Sequence, residues 1–105
     1  METRKFIIGE KEVDVKVDVG KRKVWLSQRD MSELFGKSIK TINIHINNVL
    51  SDSVILPNKN TETYFSVTGS DGKTYNVKHY NQDIILQVGY KCNIGVANRF
   101  KEWVD

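Results

Sequence analysis

The stretch Ser27-Gln28-Arg29-Asp30-Met31-Ser32-Glu33-Leu34-Phe35-Gly36-Lys37-Ser38-Ile39-Lys40-Thr41-Ile42 contains two helix starts and one helix stop. Ser27 offers a side-chain oxygen to the free N–H groups of a first turn, and Asp30, three residues on, complements that turn. Met31, Leu34 and Phe35 recur at helical spacing, so a short amphipathic helix is expected over Gln28 to Phe35. Gly36 ends it. Ser38 caps again almost at once, and a second helix is expected from Ile39 to Leu50.

With only Gly36-Lys37-Ser38 between them, the two helices must cross steeply, which is the geometry of a helix-turn-helix. At ~100° per residue, Ile39, Ile42, Ile46, Val49 and Leu50 share one side of the second helix. Lys40, Thr41, Asn47 and Asn48 share the other, with Ile44 among them.

Before the pair, Val13, Val15, Val17 and Val19 alternate with Asp14, Lys16 and Asp18, the period of a half-buried strand. Gly20-Lys21-Arg22-Lys23 reads as a turn and Val24-Trp25-Leu26 as the returning strand of a hairpin. After the pair comes a polar loop, Ser51 to Asn60, with the only proline, Pro57. Alternating runs on either side of Gly69-Ser70-Asp71-Gly72 then predict a second hairpin, since Asp-Gly supplies the positive φ of a tight turn. Asn81 caps an apolar helix from Gln82 to Lys91, Asn93 to Gly95 breaks it, and Val96, Phe100, Trp103 and Val104 mark a last helix. Trp25, Phe35, Phe65, Phe100 and Trp103 are all expected on inner faces. The fold class expected is α+β: a winged helix-turn-helix with an N-terminal β-hairpin, a wing hairpin and two C-terminal helices. One domain spans residues 1–105.

Composition narrows the function classes. The chain has 105 residues, 39% of them hydrophobic, with a net charge of +3, and a pI near 9.0. That balance suits a polyanion but does not demand one. The single cysteine, Cys92, cannot form an intrachain disulfide, which argues against a disulfide-stapled secreted domain. No apolar run reaches the roughly 18 residues of a bilayer span, and the apolar part of the N-terminus is too short for a secretory signal. No membrane association is expected, and a cytoplasmic location is the default. His45, His79 and Cys92 are scattered in a way that matches no zinc spacing, and no phosphate loop or nucleophile–base pattern is recognisable. No catalytic residue, metal or cofactor is therefore expected.

Trp25-Leu26-Ser27-Gln28, Glu33-Leu34-Phe35-Gly36, Thr41-Ile42-Asn43-Ile44-His45-Ile46, Ser70-Asp71-Gly72-Lys73-Thr74-Tyr75, Val77-Lys78-His79-Tyr80-Asn81, Val88-Gly89-Tyr90 and Arg99-Phe100-Lys101-Glu102-Trp103 together carry a resemblance. The chain resembles the N-terminal region of the RhuM family of bacterial virulence-associated proteins, over Val13 to Val104. The resemblance implies a bacterial or phage-derived regulator that binds DNA, and a chain that continues beyond this tryptophan in its relatives. Two positions depart from the family pattern: Ile39, often polar or basic there, and Ile44, usually Arg or Glu.

In a helix-turn-helix the second helix enters the major groove with its N-terminal half, and its backbone start favours phosphate. The candidate DNA-binding residues are therefore Lys37, Ser38, Lys40, Thr41, Asn43, Ile44 and Asn47, with Lys73 and Lys78 on the wing. Lysine suits phosphate or guanine, asparagine can pair with adenine, and isoleucine can touch a thymine methyl. The basic tip Lys21-Arg22-Lys23 is a further phosphate candidate, although charge runs at turns are commonly just solvated. The expected partner is double-stranded DNA. A homodimer would extend the few base pairs that one helix can read. The rival is a protein-interaction module that docks a partner through Ile39 and Ile44.

Overall fold

A computed structural model describes residues 2–18, 20, 23–52 and 61–105. Val19, Lys21, Arg22 and Pro57, and with them most of the expected basic tip and proline loop, lie outside the described residues. The chain is α+β, with a five-stranded antiparallel sheet and four helices.

The elements in order are β1 (Glu2–Ile8), β2 (Lys11–Asp18), β3 (Lys23–Ser27), α1 (Gln28–Phe35), α2 (Ile39–Asp52), β4 (Glu62–Thr68), β5 (Thr74–Asn81), α3 (Gln82–Cys92) and α4 (Ile94–Val104). The sheet order is β1-β2-β3-β5-β4. The expected first hairpin is present as β2 and β3, with Val17 opposite Val24. It is not the whole of the N-terminal unit, because β1 pairs with β2 along its full length, Phe6 opposite Val13. The second hairpin joins the same sheet: β5 pairs with β3, Leu26 opposite Tyr80, as well as with β4.

Strand alternation decides which side chains meet the helices. Phe6, Val13, Val15, Val17, Val24 and Leu26 point to the helical side and join Met31, Leu34, Phe35, Ile42, Ile46, Ile84, Ile85, Val88 and Phe100 in one core. Burying each such side chain contributes roughly 1.5–3 kcal/mol against the entropy of ordering the chain. Trp25, between Val24 and Leu26, points to the opposite face. There it meets Phe65 edge-on, ring centroids 6.2 Å apart, and Phe65 meets His79 at 4.8 Å. Trp25 is thus buried as expected, but on the face of the sheet away from the helices. It and Phe65 form a smaller cluster behind the sheet, and Phe65 is only partly buried. Trp103 packs on Phe6 at 5.2 Å but stays 36% exposed at the end of α4.

The turn between α1 and α2 is built as the serines and glycine suggest. Ser27 and Asp30 form a reciprocal capping box, with Ser27 Oγ accepting from the Asp30 N–H at 3.1 Å and Asp30 Oδ2 accepting from the Ser27 N–H at 3.0 Å. Gly36 closes α1 in the left-handed region, φ 67°, donating its N–H to the Ser32 carbonyl. Ser38 Oγ then accepts from the Thr41 N–H at 3.1 Å to open α2. Ile42, Ile46 and Val49 are buried, as the periodicity requires, but Ile39 is 48% exposed. It occupies the first position of α2 and lies beside β5 rather than over the core.

Smaller boundaries also differ, and α2 runs two residues past the expected Leu50, to Asp52. Asn93 alone separates α3 from α4, ending one and capping the other by accepting from the Val96 N–H at 3.3 Å, so α4 begins at Ile94 rather than Val96. Lys73 belongs to the hairpin loop and not to β5, since the Gly69 N–H donates to the Lys73 carbonyl at 2.8 Å.

Candidate nucleic-acid interface

Capping and periodicity place the candidate residues on α2. The buried stripe Ile42, Ile46 and Val49 fixes the rotation of the helix, so its opposite side must face out. Lys37, Ser38, Lys40, Asn43, Ile44 and Asn47 are all exposed, and Thr41 is half-buried. Thr41 is also engaged, because its Oγ1 accepts from Ser38 Oγ at 2.9 Å. Lys40, Asn43, Ile44 and Asn47 therefore present a continuous outward surface, while Ser38 and Thr41 spend their hydroxyls on each other and on the helix start.

Beside the N-terminus of α2 lies a cleft of about 250 Å³, lined by Gln28, Arg29, Ile39, Val77, Lys78 and Tyr80. It lies where the first turn of α1, the start of α2 and β5 converge. Gln28 Nε2 donates to the Ile39 carbonyl at 3.3 Å and ties the two helix starts together. The structure thus brings Lys78 to the α2 N-terminus. It does not do the same for Lys73, which is exposed in the hairpin loop and absent from the cleft wall, where its N–H donates to Asp71 Oδ1 at 3.0 Å.

Lys78 is not a bare cation. Its Nζ sits 3.6 Å from Glu62 Oε2 and 5.9 Å from the Tyr64 ring centroid. The Glu62 carboxylate, helped by the tyrosines and opposed by burial, holds the Lys78 pKa above its ordinary value. Any phosphate contact by Lys78 therefore competes with an internal carboxylate.

Arg29 and Gln28 are residues that sequence reasoning passed over. A cap at Ser27 puts both in the first turn of α1, but only the folded contact of Gln28 with Ile39 brings that turn to the start of α2. Arg29 is largely open, its side chain 82% exposed and 4.0 Å from Glu33 one turn on. Tyr64 and Tyr75 both lie on the second hairpin but on opposite faces, since Tyr64 pairs with Lys78 and Tyr75 with Val67. They cannot together form a stacking platform.

Among the described residues, no group of three His, Cys, Asp or Glu side chains is placed to hold a metal ion, and no helix is long and apolar enough to cross a membrane. Comparison of the chain with family models, with curated proteins and with solved structures gave no match in any of the three.

Proposed function

We propose that the chain is a winged helix-turn-helix domain that binds double-stranded DNA, with α2 in the major groove and the β4–β5 hairpin as the wing. The observation that carries this reading is the exposed face Lys40, Asn43, Ile44 and Asn47 next to a cleft shared with Lys78 and Arg29. That arrangement supports two kinds of contact at once. Lys40, Lys37, Arg29 and the open N-terminus of α2 suit phosphate oxygens, whereas Asn43, Asn47 and Ile44 suit base edges. The resemblance to the RhuM family supports the same partner, and a homodimer would supply the second half-site.

A protein-docking surface through Ile39 and Ile44 is the second reading, favoured by their exposures of 48% and 50%. Its weakness is geometric. Five positions apart on a helix, the two point in directions differing by about 140°, so they do not form one stripe. Ile44 stands alone among Lys40, Asn47 and Asn48, a setting suited to a single methyl contact in a groove.

Selection of bound sequences from a random duplex pool, followed by fluorescence anisotropy at two salt concentrations, tests the proposal. Saturable binding that weakens steeply with salt is expected. Absence of binding to any duplex at low salt would overturn it, and loss of a protein complex on Ile44→Glu would favour the second reading.

A further inference from the structure

The sheet face turned away from the helices carries a groove of about 550 Å³, bounded by Asp14 and Lys16 of β2, Arg29 and Asp30 of α1, and Tyr75 and His79 of β5. Small-ligand pockets typically occupy ~300–1,000 Å³. His79 belongs to this wall, its side chain only 2% exposed. Its Nδ1 lies 2.9 Å from the Val77 carbonyl, and since a carbonyl only accepts, the proton is on Nδ1. Burial holds the His79 pKa below its ordinary value, with Lys16 adding to the effect and the Val77 carbonyl and Asp30 opposing it. The ring is then neutral, and Nε2 carries a bare lone pair.

That lone pair makes no hydrogen bond among the described residues. It faces Asp30 Oδ2 at 3.9 Å, and this oxygen otherwise accepts from the Ser27 N–H. Two acceptors therefore confront each other with no donor between them. A single nitrogen placed about 2.9 Å from each would fit across the gap.

The remaining walls carry both signs of charge. Asp14 is tied to Lys5 at 3.2 Å, and Asp71 accepts from the Tyr75 hydroxyl and the Lys73 N–H. Lys16 has no ion-pair partner among the described residues and lies over the Phe65 ring, 5.6 Å from its centroid. Arg29 extends from the same wall, and Val67, Val77 and the Tyr75 ring supply apolar surface. A ligand matching all of this offers an N–H-bearing cation, an anion and an apolar body.

We propose that the groove binds a free amino acid with an apolar or aromatic side chain. Its ammonium group lies between His79 Nε2 and Asp30 Oδ2, its carboxylate faces Lys16 and Arg29, and its side chain lies along Val77 and Tyr75. This site opens on the sheet face away from the core, at the start of α1, and does not rest on the DNA-binding reading, although Arg29 borders both surfaces.

The test is NMR of the imidazole nitrogens in the full chain, titrated with L-phenylalanine and L-leucine. A saturable shift of the His79 Nε2 resonance is expected. N-acetyl-L-phenylalanine, lacking the ammonium, and phenethylamine, lacking the carboxylate, should each bind about tenfold more weakly or worse, as for the loss of one charge-assisted contact. Lys16→Gln, at a half-exposed position, should weaken L-phenylalanine and not weaken phenethylamine, with circular dichroism checking the fold. The proposal fails if no saturable shift appears at about 10 mM ligand, which would populate any site of millimolar affinity. Equal binding of L-phenylalanine and its N-acetyl derivative would also overturn it.

Discussion

Lys78 Nζ lies 3.6 Å from Glu62 Oε2 across the β4–β5 pair, on the wall of the cleft beside the α2 N-terminus. The pair is part-exposed, with side chains 40% and 19% accessible, so the ion pair is worth only about 0–1 kcal/mol and can be given up for a stronger anion. In the DNA-binding reading Glu62 then acts as a brake on the one wing lysine that reaches the cleft. Glu62→Gln should tighten duplex binding roughly threefold, and steepen its salt dependence by about one unit of slope. Anisotropy at several salt concentrations reads both. Unchanged affinity would mean that Lys78 does not touch phosphate.

The outward face of α2 separates positioning from reading. Lys40→Gln should weaken all duplex sequences about equally and lower the salt slope by about one. Asn47→Ala should leave the slope alone, and cost about 1–3 kcal/mol only where the selected sequence has its preferred base. A competition assay with the selected duplex and a scrambled one distinguishes the two. A uniform loss from Asn47→Ala would remove it from base recognition.

Helix packing sets a limit of its own. A Cβ added at Gly89 would lie 2.7 Å from Phe35 Cζ and 2.8 Å from Ala97 Cβ. All three residues are buried, so nothing there can yield to solvent. Gly89→Ala raises helix propensity, yet overpacking at a closed site costs about 1–3 kcal/mol. Thermal denaturation should show a lower Tm than wild type. An unchanged or higher Tm would show that Phe35 can move aside.

The elements that could be read from sequence are those whose signals are local. Ser27, Gly36, Ser38 and Asn81 each act on backbone groups within three or four residues, and their caps are present as expected. The strand β1 was harder, because Glu2-Thr3-Arg4-Lys5 is polar and only pairing with β2 makes it a strand. Trp25 is only half legible: alternation sets it opposite Val24 and Leu26, but not what covers it on that face. At 6% exposure it is indeed buried, in a cluster with Phe65 that needs β5 beside β3. The cleft joining Gln28, Arg29, Ile39, Lys78 and Tyr80 spans distant parts of the chain, and no spacing rule brings them together. Its α2 and Lys78 members were legible singly as candidates; Gln28, Arg29 and Tyr80 were not.

His79 also predicts how stability responds to pH. Its folded pKa lies below the ordinary histidine value, first because it is buried and then because Lys16 disfavours added positive charge, with the Val77 carbonyl and Asp30 pulling the other way. The unfolded chain therefore binds the proton more readily than the folded one as pH falls past the ordinary value. Stability from the neutral ring is present in full above about pH 6.5 and is lost as pH falls toward the depressed folded pKa. Wild type should lose Tm as pH falls below about 6.5, whereas His79→Gln, which keeps a side-chain N–H donor but cannot titrate, should start lower and change less over the same range. Asp30→Asn removes a carboxylate that favours the imidazolium, so it should lower the folded pKa further, leave the onset of the loss where it is and extend the loss to lower pH, at a cost in the α1 cap. Parallel pH profiles for wild type and His79→Gln would assign the acid sensitivity to other groups and leave His79 a packing residue only.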